Sequence, residues 1–219
     1  MAKLHKPLAG SLIALALTVT ASQGEPVQQP GATSRAEVPV AQRAALFEEN
    51  QADPQTPRAT AGRAVWRIDA VNAGQGRPLE TVVRGTIEVP GANLTLNLVI
   101  RRNLDPALPA SHTVELTFGT PGEPGRAIRD VGLLQLKSDE GVRGTPLAGL
   151  PVPVKENVFL LGLSNLPGDV ERNTDLLLKR NWIDLPLRFA SGGRAVLSFE
   201  KGNPGEQVFN EAFRQWGGS

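Results

Sequence analysis

The chain has no cysteine and no tyrosine among its 219 residues, and it holds only two histidines and one methionine. Without cysteine there is no disulfide, no thiolate nucleophile and no thiolate metal ligand, so the fold must stand on its core alone. Aromatic residues make up 5%. That scarcity argues against an outer-membrane barrel, which carries girdles of interfacial aromatics. Neither sign of charge is in excess, with 23 basic and 22 acidic residues. No basic surplus is left to neutralise phosphates, so nucleic acid is not an expected partner. The hydrophobic share of 40% and the charged share of 21% are ordinary for a globular protein. They exclude collagen, a coiled coil, a polytopic membrane protein and a wholly disordered chain.

Lys3 and Lys6 precede an apolar run from Leu8 to Ala21. Val19 and Ala21 are small enough for the −3 and −1 positions of a cleavage site. This pattern predicts a signal peptide over residues 1–21, cut after Ala21. The run is shorter than the ~20 residues of a membrane span, so the cleaved chain is not expected to be an integral membrane protein. Losing Lys3 and Lys6 leaves 21 basic and 22 acidic residues. Export without cysteines points to a bacterial periplasmic or secreted protein. Residues 22–42 are rich in proline and glutamine, with little to bury, and read as a flexible linker before a β-rich domain over 43–219.

Beyond the linker the apolar residues recur with the period of strands. Leu94, Leu96, Leu98 and Ile100 share one face. Thr81, Val83, Ile87 and Val89 do the same before them, and Pro90-Gly91-Ala92-Asn93 reads as the hairpin turn between. Val114, Leu116 and Phe118 alternate with polar neighbours. Further strands are expected over 43–49, 62–70, 130–137, 146–154, 157–163, 182–189 and 194–200. Two segments have helical spacing. One opens at Pro167-Gly168-Asp169. The other opens at Asn203-Pro204-Gly205-Glu206, with Asn203 as the expected cap, and carries Phe209, Ala212, Phe213 and Trp216 on one face. The expected fold is mainly β: one antiparallel sandwich or open barrel of about ten short strands with two short helices, the second C-terminal.

Chemical motifs are sparse. Only His112 lies beyond the leader, which leaves no metal-ligand cluster, and no phosphate loop or cofactor motif is present. No catalytic residue is assigned. Ser111 precedes His112, but neighbours on a strand point to opposite faces and are not expected to pair. One geometric inference stands out. Pairing Leu98 with Leu116 sets Ile100 against Val114 and Leu96 against Phe118, all on the core face. The same register sets Arg102 opposite His112 at the end of the sheet, with Asp105 in the loop between. Arg102, Asp105 and His112 are therefore the candidate site, either a polar end-cap of the core or a pocket for a small anionic or polar ligand. The guanidinium beside His112 should keep the imidazole neutral at pH 7.

Leu108-Pro109-Ala110-Ser111-His112-Thr113, Arg143-Gly144-Thr145-Pro146-Leu147-Ala148-Gly149 and Glu200-Lys201-Gly202-Asn203-Pro204-Gly205-Glu206 resemble segments of uncharacterised exported proteins of Gram-negative bacteria, over roughly residues 43 to 216. The resemblance implies export and supplies no mechanism or site residues. The expected function is a non-catalytic binding or accessory protein of the bacterial envelope, working on an envelope protein or a small ligand. The alternative is a hydrolase acting on an envelope component through carboxylates or His112.

Overall fold

The computed structural model describes residues 40–217, apart from residues 51, 54, 75 and 77. The expected signal peptide, and the expected linker as far as residue 39, lie outside the described residues. From residue 42 the chain is largely strand. In order it forms β1 (Gln42–Glu48), β2 (Arg58–Asn72), β3 (Leu79–Val89), β4 (Leu94–Arg102), β5 (Ala110–Gly119), β6 (Ile128–Val131), β7 (Gln135–Lys137) and β8 (Thr145–Pro146). There follow β9 (Gly149–Lys155), β10 (Val158–Ser164), α1 (Pro167–Lys179), β11 (Trp182–Phe189), β12 (Arg194–Glu200) and α2 (Gly202–Gly217).

Eleven of the strands form one antiparallel path in the order β8-β7-β11-β12-β1-β2-β3-β4-β5-β10-β9, and β6 pairs with β11 beside β7. The end strands β8 and β9 are separated in the chain by only Leu147 and Ala148. Strands at opposite ends of so wide a sheet can be joined this closely only if the sheet curls, and it forms a half-barrel rather than a sandwich. The link is held firmly. Leu147 N–H donates to Leu134 O at 2.9 Å, and Ser164 N–H donates to Ala148 O at 3.0 Å. The buried Asn173 of α1 both accepts from Ala148 N–H and donates to Ala148 O, each at 2.8 Å.

The alternation seen in the sequence buries one face of the sheet. Leu98 pairs with Leu116, Ile100 with Val114 and Leu96 with Phe118, and all six are buried. The expected strand over 130–137 is broken into β6 and β7. Pro186 of β11 lies opposite the break; it has no N–H to continue the ladder, and its carbonyl accepts from Gly132 N–H instead.

The helix α2 lies across the concave side. It begins at Gly202, earlier than expected, and Asn203 is inside it rather than capping it. Gly205 N–H donates to Lys201 O at 3.0 Å, so a backbone carbonyl opens the helix. Phe209 and Ala212 are fully buried, Trp216 is nearly so, and Phe213 is half-buried. Phe209 meets Trp66 of β2 edge-on, with centroids 5.3 Å apart. Trp66 pairs with Gly85, and a Cβ there would stand 2.8 Å from its ring; a Cβ on Gly205 would stand 3.0 Å from Trp66 Cδ1. Two absent side chains therefore let the indole lie between sheet and helix.

Lys201, between β12 and α2, is buried, and its Nζ donates to Leu177 O at 2.7 Å in the last turn of α1. Burial pushes its amine down to about 8. The cation at a helix C-terminus is favourably placed against the helix dipole and binds α1 to the start of α2.

Candidate functional site

The candidate site grows from the β4–β5 hairpin. Its connecting loop, residues 103–109, is organised by Asn103. The Asn103 Nδ2 group donates to Asp105 O, Leu108 O and Ala110 O at 3.0, 2.9 and 2.8 Å. Its Oδ1 accepts from Asp105 N–H at 3.0 Å. One asparagine thus gathers the loop around itself, as amides do where backbone groups lack ladder partners.

Arg102 and His112 occupy the expected register, directly opposite each other. The two side chains then serve the helix above them. Arg102 Nη1 donates to Trp216 O at 2.9 Å, which ties the sheet to the last turn of α2. The His112 ring packs against Phe213 and Trp216, with centroids 5.4 and 5.1 Å away. Burial lowers the imidazole pKa to about 4, with the Arg102 charge acting in the same direction. His112 is therefore neutral at pH 7, and desolvation matters more than the arginine. Asp105 joins neither of them. Its Oδ1 accepts from Ala107 N–H at 2.9 Å, within its own loop.

Ser111 departs from simple alternation. On β10, Leu163 pairs with His112 while Ser164 pairs with Ala110, so Ser111 is the extra residue of a bulge. The bulge turns the two neighbours toward one another, and Ser111 Oγ lies 3.2 Å from His112 Nδ1. The hydroxyl also donates to Ser164 O at 3.0 Å. No carboxylate completes this pair among the described residues.

A cavity of about 480 Å³ opens at this end of the sheet, and its lining residues include Arg102 and Asp105 as well as Arg101, Glu80, Asn103 and Thr113. His112 does not line it. Arg101 has no hydrogen-bond or ion-pair partner among the described residues. Glu80 Oε1 is buried and also lacks a partner. Burial raises the Glu80 pKa, against the opposing pull of the Arg101 and Arg102 charges. No ion pair joins Glu80 to either arginine among the described residues. The alternation that sends Arg102 toward α2 sends Arg101 to the other face of β4. Glu80 escaped notice in the sequence because a lone glutamate at a strand start resembles any surface charge. Val82, two residues on along β3 and opposite Asp69, is fully buried on the outer face, a departure from the alternation that only the structure reveals.

A larger cavity of about 560 Å³ lies beside Lys201. Its buried polar groups are already engaged: Lys201 caps α1, and Asn181 holds both the Glu200 carboxylate and Gly202 N–H. No protein-family model matches the chain, and comparison with curated proteins and with solved structures finds no relative. Among the described residues, no helix is long and apolar enough to cross a membrane, and no group of acidic and histidine side chains could hold a metal ion.

Proposed function

We propose that this protein is an exported, non-catalytic binding protein of the bacterial envelope, and that the cavity beneath loop 103–109 receives its ligand. The charged start, the short apolar run and the resemblance to exported proteins support the compartment. The observation that carries the binding role is the Arg101 guanidinium, without a hydrogen-bond or ion-pair partner among the described residues, on a cavity of about 480 Å³. That volume is within the range of small-molecule sites. A guanidinium is suited to grip a carboxylate or phosphate. Isothermal titration with small carboxylates and inorganic phosphate tests the assignment. Binding that is lost in Arg101→Ala is the expected result. Heat signals that are unchanged by that substitution would remove the site.

The hydrolase alternative has one observation in its favour, the contact between Ser111 and His112. A hydrolytic activity of the native protein that disappears in Ser111→Ala would move the assignment to that reading.

A further inference from the structure

The hydrogen-bonding groups left open around this cavity narrow the class of ligand, on the footing that the cavity is the binding site. Thr113 of β5 stands directly opposite Arg101 of β4, and both line the space. Thr113 is only 6% exposed, and its hydroxyl has no hydrogen-bond partner among the described residues. A hydroxyl set so deep is costly to leave unmet. Residues opposite each other on a ladder present their side chains to the same face, so the guanidinium and the hydroxyl can hold one oxyanion between them. Asp105 adds an acceptor from the loop. Its Oδ1 is taken by Ala107 N–H, and its Oδ2 has no partner among the described residues. Asn72 adds a donor: its Oδ1 accepts from Gly74 N–H at 2.9 Å, and its Nδ2 has no partner among the described residues.

The charges call for one negative group and no more. Arg101 and Arg102 line the space with Glu80 and Asp105, two of each sign. Arg102 already donates to Trp216 O, and Glu80 Oε1 is buried and offers the cavity no acceptor. One anionic group answers Arg101. A second would stand near Asp105 with no unengaged guanidinium to meet it. An ammonium would answer Asp105 and stand beside two arginines. A hydroxyl carries no charge and both donates and accepts, so it serves Asp105 and Asn72 alike. Leu108 and Leu160 interrupt the polar lining and offer a rest for C–H groups.

We propose that the cavity takes a small polyhydroxylated monocarboxylate of the sugar-acid class, its carboxylate held by Arg101 and Thr113 and its hydroxyls by Asp105 and Asn72. This deepens the anion-binding reading above and rests on it. The acid is either an open chain or a ring.

The test is isothermal titration of the full chain with four probes. D-gluconate is the open-chain acid and D-glucuronate the ring. Hexanoate has the carboxylate without the hydroxyls, and D-glucose has the hydroxyls without the carboxylate. One sugar acid should bind roughly tenfold or more tighter than both hexanoate and D-glucose, and the preference between the two acids identifies the form. Asp105→Ala should remove the advantage over hexanoate, whereas Thr113→Val should weaken hexanoate and the sugar acid together. If hexanoate binds the unmodified protein as tightly as either sugar acid, or Asp105→Ala leaves the advantage unchanged, the sugar-acid assignment is overturned and the anion site stands. If D-glucose binds as tightly as the sugar acids, or no carboxylate probe binds at all, the anion site itself falls and this assignment with it. The four-probe comparison on the unmodified protein decides the matter even where a variant does not fold.

Discussion

Arg102 and His112 face each other across the β4–β5 hairpin, and both attend to Trp216. Arg102 donates to the Trp216 carbonyl at 2.9 Å, while the His112 ring lies 5.1 Å from the indole. A pair at the rim of the sheet thereby fastens the C-terminal helix. The Trp216 indole completes the connection by donating Nε1–H to Thr81 O on β3 at 2.9 Å.

The arrangement predicts coupled stability effects. Arg102→Ala leaves a helix-terminal carbonyl unmet, and His112→Ala removes ring packing. Each should cost about 1–3 kcal/mol in urea unfolding. Because both act on Trp216, the double variant should depart from additivity by more than about 0.5 kcal/mol. Strict additivity would show that the two contacts do not share a neighbour energetically.

Acid should weaken the fold through His112. Its folded pKa, about 4, lies below the unfolded value of 6.5. The unfolded chain therefore binds the proton first, and the stabilising contribution, complete above pH 6.5, is lost as pH falls toward 4. The loss is on the order of 3 kcal/mol. In His112→Gln the slope of unfolding free energy between pH 7 and 4 should be shallower than in the native protein. Parallel slopes would place the imidazole in water.

Burial along α2 sets an order of costs. Phe209 is fully buried against Trp66, whereas Phe213 is half-buried. Phe209→Ala should cost about 3–5 kcal/mol, and Phe213→Ala distinctly less. Thermal denaturation of the two variants checks the order; a larger drop for Phe213→Ala would contradict the packing.

Adding a methyl group at Gly85 should also destabilise the fold. The new Cβ would stand 2.8 Å from the Trp66 ring, so the indole must shift under α2. A cost of about 1–3 kcal/mol is expected for such overpacking. The shift should be visible as a change in tryptophan fluorescence of Gly85→Ala. Native stability together with an unchanged spectrum would rule out the close approach.

Much of this molecule was legible in its residues. The alternation of Leu94 to Ile100 and of Val114 to Phe118 admits one register that buries both sets, and that register is the one observed. The stripe from Phe209 to Trp216 announced a helix with one buried face, and Pro90-Gly91-Ala92-Asn93 announced the turn between β3 and β4, where Asn93 adopts a left-handed φ of 48°. Period and turn chemistry are local, so they survive in a single sequence. The rest depended on residues far apart in the chain. The two-residue strand β8 is too short to show a period, and the break between β6 and β7 answers to Pro186 on another strand. The bulge at Ser111 exists because β10 pairs with β5 across more than fifty intervening residues, as the Ser111–Ser164 hydrogen bond records. Curling of the sheet decided the site as well. It brought α2 over Arg102 and His112 and engaged both there. Arg101, on the other face of β4, and Glu80 were left beside a cavity without an ion pair among the described residues, because alternation along a strand separates adjacent residues and only tertiary packing determines which of the two faces is covered.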